Sequence, residues 1–151
     1  MYQMIPTSSP SSPGQSSTPA DFDGFPGANS FVALLQPDGA SELIRYDAFV
    51  ALLFKQLHDQ KLDLLHGAVG ISGEAGELLD AVKKHWIYNK PLDVTNVIEE
   101  LGDLRFYIQA VMNVLGISEQ QVVQENANKL CVRYKQLRYS DEAARSREDK
   151  A

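Results

Sequence analysis

Beyond residue 45, apolar residues recur every three or four positions, the spacing that places side chains on one face of an α-helix. The pattern predicts four helices, at about residues 46–57, 61–86, 93–115 and 118–137. In the second and third helices the apolar positions form continuous rows: Leu64, Ala68, Ile71, Ala75, Leu78 and Val82, then Val97, Leu101, Leu104, Ile108, Val111 and Leu115. No strand pair is indicated after residue 45. The predicted fold class is therefore all-α, most simply a four-helix bundle.

The first and fourth helices are also predicted to have one apolar face. The residues expected to face the core are Phe49, Leu52, Leu53 and Leu57 in the first, and Val123, Ala127, Leu130, Tyr134 and Leu137 in the fourth. Local signals support the boundaries: Asp93, Thr95 and Asn96 can each cap the third helix, Gly116 ends it, and Ser118 with Gln121 forms a capping box.

Composition divides the chain into four segments. Residues 1–29 are rich in proline and serine and are predicted to be a disordered tail. Residues 30–45 contain the turn signal Pro37-Asp38-Gly39, which fits either an irregular lead-in or a short hairpin. Residues 46–140 are the helical domain, and residues 141–151 are a charged tail that frays or forms a short helix.

The charge balance limits the class of partner. The 151-residue chain has a net charge of −6 and no basic cluster, which disfavours a nucleic-acid polymer or an anionic membrane. A single cysteine, Cys131, suits a reducing compartment, and we expect it to be buried and inert. No apolar run is long enough to span a membrane and no basic leader is evident, so a cytoplasmic location is expected.

Two pairs of carboxylates lie beside the apolar rows. Glu74 and Glu77 are three residues apart on the second helix, as are Glu100 and Asp103 on the third. One such pair alone more often faces solvent, but two pairs flanking the core suggest a shared site. Carboxylates brought together repel unless a cation neutralises them, and all-oxygen ligation suits Mg²⁺ or Mn²⁺. No histidine follows a glutamate at the spacing of a di-iron bundle.

Four glycines precede or interrupt the first carboxylate pair, although glycine in a helix interior costs about 1 kcal/mol relative to alanine. They are Gly67, Gly70, Gly73 and Gly76. One explanation is that they lower the wall of a cleft beside the carboxylates. The alternative is that Gly67, Gly73 and Gly76 permit close packing of helices, and the two do not exclude each other.

The stretch GEAGELLDAVKKHWIYNKPLDVTNVIEELGDLRFYIQAV resembles the MazG-like nucleoside triphosphate pyrophosphohydrolases of the all-α NTP pyrophosphatase superfamily. The family motif is E-x-x-E, a spacer, then E-x-x-D. Glu74, Glu77, Glu100 and Asp103 occupy its four positions. Downstream, ENANKLCVRY resembles the asparagine-lysine-arginine stretch of the family, with matching residues Asn126, Lys129 and Arg133.

The resemblance implies Mg²⁺-dependent cleavage of a nucleoside triphosphate to the monophosphate and pyrophosphate, for nucleotide-pool control or house-cleaning, with Mn²⁺ able to substitute. It further implies that the four carboxylates hold the metal and that one of them activates water. The residues expected to bind substrate are Asn126, Lys129, Arg133, His66, Tyr107 and Trp86. The resemblance also implies a homodimer or a dimer of dimers.

The sequence also allows other functions. A related hydrolase acting on dUTP or dCTP, on phosphoribosyl-ATP or on a guanosine alarmone has the same carboxylate motif. A non-catalytic helical interaction protein is the alternative from another class. The complete set of four carboxylates favours an enzyme over that alternative.

Overall fold

The computed structural model describes residues 31–35 and 40–150. The tail predicted for residues 1–29 and the turn at residues 37–39 lie outside the described residues. The elements are strands β1 (Phe31–Leu35) and β2 (Ser41–Arg45) and helices α1 (Tyr46–Leu53), α2 (Gln60–Trp86), α3 (Val94–Leu115), α4 (Glu119–Arg133) and α5 (Asp141–Ser146), followed by a 3-10 turn, Glu148–Lys150. The described chain is mostly helical, as predicted.

The segment before the helices forms an antiparallel hairpin. Phe31 lies opposite Arg45 and Val32 opposite Ile44 in the ladder between β1 and β2. Both strands pack against α1, which begins directly after β2. The hairpin is peripheral, since Phe31 and Leu43 keep more than half of their surface exposed.

The helix boundaries follow the local signals in the sequence. Asp93 caps α3 by accepting a hydrogen bond from the backbone N–H of Asn96. Gly116 ends α3 in the left-handed conformation, with φ of 65°, which glycine adopts without steric cost. Ser118 and Gln121 form the predicted capping box at the start of α4. Helices α1 and α4 each end about four residues earlier than predicted.

The core of the chain lies where α1 and α2 pack against α3. Helices α2 and α3 run antiparallel along most of their length, and α1 crosses α3 at its C-terminal half. The buried centre consists of Val50, Phe54 and Ala110.

The inward face predicted for α1 was wrong at three of four positions, because Leu52, Leu53 and Leu57 are exposed and only Phe49 packs against the core. Instead, Val50 of α1 and Phe54, the residue that follows the helix, pack towards α3. Leu57 lies beyond the end of the helix.

A four-helix bundle within one chain is not confirmed. Helix α4 has no buried residue and packs mainly against the 3-10 turn, with an ion pair of 2.5 Å between Arg105 and Glu119 joining its first turn to α3. Val123 and Leu137, predicted to face inward, are 59% and 79% exposed. The rows on α2 and α3 are also exposed in part, at Val82, Leu101, Ile108 and Leu115. Periodicity identifies an apolar face, but it does not say which element covers it.

None of the helices described here is long and apolar enough to cross a membrane.

Candidate metal centre

Three of the predicted carboxylates converge between α2 and α3. Glu74, Glu77 and Glu100 each offer one oxygen, and these oxygens lie within 4.8 Å of one another. Carboxylate oxygens this close together would suit a hard divalent ion such as Mg²⁺, which prefers oxygen ligands.

The electrostatics of this group favour a cation. Glu100 is only 9% exposed, Glu74 is half-buried and Glu77 is exposed. Loss of solvent raises the pKa of Glu74, and the negative charges of Asp103, Glu77 and Glu100 raise it further. Across residues 31–35 and 40–150, no lysine or arginine forms an ion pair with these carboxylates. The donor set, its spacing and its uncompensated charge fit a hard divalent ion.

Asp103, the fourth predicted carboxylate, lies beside this group rather than within it. It is exposed and is not one of the three residues whose oxygens converge. Its charge still contributes to the raised pKa of Glu74, so the two side chains are near each other. Direct ligation by Asp103 stays a prediction.

Asn96, which the sequence offered as a possible cap of α3, is a neighbour of the site. Its side-chain Nδ2 donates a hydrogen bond of 2.9 Å to Oε1 of Glu100, one helical turn later. The spacing of four residues was the available signal, since such pairs face each other on a helix.

The predicted substrate residues His66 and Tyr107 belong to an aromatic cluster next to the core. The His66 ring stacks on Phe54 with 4.6 Å between centroids, and its Nδ1 lies 3.3 Å from the Lys55 carbonyl oxygen. The Tyr107 ring meets His66 edge-on at 6.0 Å. Both rings therefore have contacts within the chain. Trp86, the third aromatic candidate, is 82% exposed at the end of α2.

The four glycines of α2 divide into two pairs. A Cβ on Gly67 would lie 2.6 Å from Cγ2 of Val111, and one on Gly70 would lie 2.3 Å from the Tyr107 ring. Close helix packing therefore explains Gly67, as predicted, and also Gly70. At Gly73 and Gly76 nothing lies within 4 Å, so contacts within the chain do not explain them. This open space lies beside Glu74 and Glu77, and it is compatible with the prediction that the glycines lower the wall of a cleft there.

The residues on α4 that match the asparagine-lysine-arginine stretch do not reach the carboxylates within one chain. They are Asn126, Lys129 and Arg133. Nε and one terminal nitrogen of Arg133 bind the two carboxylate oxygens of Asp149, at 2.6 and 2.7 Å. Asn126 and Lys129 are exposed, and none of the described hydrogen bonds joins these α4 residues to the three converging carboxylates. Arg133 and Asp149 lie 16 positions apart and the C-terminal tail has no periodicity, so the sequence did not predict this pair.

Asp80 is engaged by two lysines one turn later on α2. It forms ion pairs with Lys83 and Lys84, at 2.5 and 2.9 Å. Cys131 is exposed, contrary to the prediction that it is buried, because its helix packs on no other long helix.

The comparison with protein families identifies this part of the chain. The sequence profile described as "MazG nucleotide pyrophosphohydrolase domain" matches residues 67–138, which include most of α2, all of α3 and α4 and every predicted carboxylate. Searches of curated proteins and of solved structures gave no match. The resemblance seen in the motif residues is thus confirmed over residues 67–138, which match the MazG nucleotide pyrophosphohydrolase domain.

Proposed function

We propose that this protein is a Mg²⁺-dependent pyrophosphohydrolase that cleaves a nucleoside triphosphate to the monophosphate and pyrophosphate. The observation that carries the proposal is the convergence of Glu74, Glu77 and Glu100 within a MazG domain. Among the described residues, no basic side chain forms an ion pair with them. The domain supports nucleotide pyrophosphohydrolase chemistry. The metal and the substrate class are our inference from the site.

In this proposal the three converging carboxylates hold the ion, with Asp103 beside them. When bound, Mg²⁺ or Mn²⁺ neutralises triphosphate charge and stabilises the charge that develops in the transition state. The carboxylates in turn lose the mutual repulsion that raises the pKa of Glu74.

One of these carboxylates also acts as the base, and we infer Glu74 or Glu77. The reaction forms a bond between a water oxygen and the α-phosphorus, and breaks the bridge to the β-phosphate, so that pyrophosphate leaves. The water must lose a proton as it attacks, and a carboxylate within hydrogen-bond reach of it would accept that proton.

The remaining exposed apolar surface favours assembly with a second copy of the chain. On α2, Leu65, Val69 and Leu79 lie on one helix face and are each about 60% exposed or more. On α3, Val94 and Ile98 also share one helix face and are more than half exposed. Pairing between copies is the usual way to bury such faces. We infer a dimer, or a dimer of dimers.

Sedimentation equilibrium tests the assembly. Val69→Glu places a charge in the exposed apolar face and is expected to shift the protein to monomer. Lys55→Glu, in the loop after α1, is the matched control and is expected to leave the assembly unchanged. A wild-type protein that is monomeric at high micromolar concentration would contradict the inference.

The function is tested by measuring pyrophosphate release from the eight common nucleoside and deoxynucleoside triphosphates and dUTP, with Mg²⁺ and then with EDTA. Metal-dependent release supports the proposal and names the base and sugar. If Mn²⁺ binds but no triphosphate is cleaved, the substrate is of another type, such as phosphoribosyl-ATP or a guanosine alarmone. Absence of both metal binding and turnover would contradict the proposal and favour an interaction protein.

A further inference from the structure

Glu100 differs from the other two converging carboxylates in having a hydrogen-bond donor of its own. Asn96 Nδ2 donates to its Oε1 at 2.9 Å. No hydrogen bond to the side chains of Glu74 or Glu77 is present among the described residues. Glu100 is also the least exposed of the three, at 9%. One carboxylate of the group is therefore fixed in advance and the other two are not.

Asn96 is itself held at the start of α3. Its backbone N–H donates to Oδ1 of the capping residue Asp93 at 3.1 Å. The cap fixes the first turn of the helix, and the amide side chain then reaches one turn along the same face to Glu100. A continuous set of hydrogen bonds thus runs from the helix cap to the metal site.

The chemistry of an amide suits this task better than a cationic side chain. Ordering a glutamate side chain costs conformational entropy, and a prior hydrogen bond removes part of that cost from ion binding. A lysine or arginine would neutralise the carboxylate and compete with the ion. The amide orients one oxygen of Glu100 while leaving its full negative charge and the other oxygen for a cation.

We propose that Asn96 is a positioning residue that sets Glu100 as the pre-ordered anchor of the metal centre. The inference rests on the proposed function, because it assumes that Glu100 binds a divalent ion. In this role Asn96 would act on a bound ion through Glu100. Glu77, which is exposed and has no side-chain hydrogen bond among the described residues, lacks such support.

The test measures the Mn²⁺ dissociation constant of the full chain by isothermal titration calorimetry. Asn96→Leu keeps the side-chain size and removes the donor, while Asn96→Ala substitutes the best helix former and protects against loss of α3. Removing a group that orients a metal ligand typically weakens metal binding by about 10- to 100-fold. We expect a loss of that size in both variants.

The matched control is Gln124→Leu, which removes an amide-donated hydrogen bond of the same spacing, from Gln124 to Asn128 on α4. The control is expected to bind Mn²⁺ as wild type does. In EDTA, Asn96→Leu is expected to melt slightly below Gln124→Leu, because it loses a part-buried hydrogen bond to a carboxylate while the control loses an exposed one between two amides.

Three results would overturn the inference. Wild-type affinity in both Asn96 variants would show that Glu100 does not need the amide. A much larger fall of the melting temperature in EDTA than in the control would show a structural role instead. Absence of Mn²⁺ binding by the wild type would overturn the proposed function as well, which separates that failure from failure of the positioning role alone.

Discussion

The ring of Tyr107 lies directly against the backbone of Gly70, where even a methyl group would come within 2.3 Å of the ring. Gly70 precedes Glu74 by one turn of α2, and Tyr107 follows Asp103 by one turn of α3. This contact therefore sets how closely the two helices approach next to the carboxylates. The separation of the proposed metal ligands on α2 and α3 depends on this contact.

Gly70→Ala is expected to destabilise the protein. The added Cβ cannot fit against the Tyr107 ring, so one helix or the ring must shift, at a cost of about 1–3 kcal/mol in the free energy of unfolding. Because the shift moves α2 relative to α3, Mn²⁺ affinity should fall as well. Urea denaturation and metal titration of the variant measure both effects.

Gly73→Ala is the matched substitution three residues later, where a Cβ meets nothing within 4 Å. Alanine is a better helix former than glycine by about 1 kcal/mol, so the free energy of unfolding should rise by up to that amount. If Gly73 lowers the cleft wall for substrate, kcat/KM should fall despite this gain. A clear loss of stability would contradict the open surroundings of Gly73.

Glu77→Gln should abolish metal binding and turnover without harming the fold. The substitution removes one ligand charge from a group of carboxylates that repel one another, so the melting temperature in EDTA should stay the same or rise. Glu99→Gln, on an exposed side chain beside Glu100, is the control for loss of a single acidic charge. Near-normal activity in Glu77→Gln would show that the metal assignment is wrong.

The ion pair of Arg133 with Asp149 should make stability depend on pH in the acid range. The guanidinium lowers the pKa of the Asp149 carboxyl to about 2, below its ordinary value of 3.8. Between pH 4 and pH 2 the unfolded chain then binds more protons than the folded chain, so this stabilisation is full above about pH 4 and is lost as the pH falls towards 2.

The check compares the free energy of unfolding of wild type and Asp149→Asn at several pH values. The difference between them should be largest near neutral pH and should shrink steadily below pH 4. Asp141→Asn, in the first turn of α5, is a control for removing another acidic charge from the C-terminal segment. A difference that stays constant down to pH 2.5 would show that the pair does not contribute through charge.

The sequence was informative wherever structure depends on residues close together in the chain. The caps at Asp93 and Ser118, the stop at Gly116 and the carboxylate pairs all follow from spacings of three or four residues. The convergence of Glu74, Glu77 and Glu100 was also predictable, since two pairs beside apolar rows meet when the rows pack. Contacts that cross between helices, such as Gly70 with Tyr107, carry no local signal.

The largest errors arose where an apolar face has no partner within the chain. Periodicity marked Leu52, Leu53 and Val123 as core residues, but all three are exposed. The buried residue Val50 was missed because several phases of α1 are apolar and only packing against α3 selects one. Arg133 has the position of a phosphate ligand in the motif, yet the C-terminal tail supplies Asp149 as its partner in the isolated chain.

The most direct test of the central claim is product analysis by ³¹P NMR after incubation with a cleaved nucleoside triphosphate and Mg²⁺ in ¹⁸O-labelled water. We predict equal amounts of monophosphate and pyrophosphate, with the label in the monophosphate, and no products with EDTA or with Glu77→Gln. Formation of diphosphate and inorganic phosphate, or equal turnover in EDTA, would contradict the assignment of Glu74, Glu77 and Glu100 as the metal centre of a pyrophosphohydrolase.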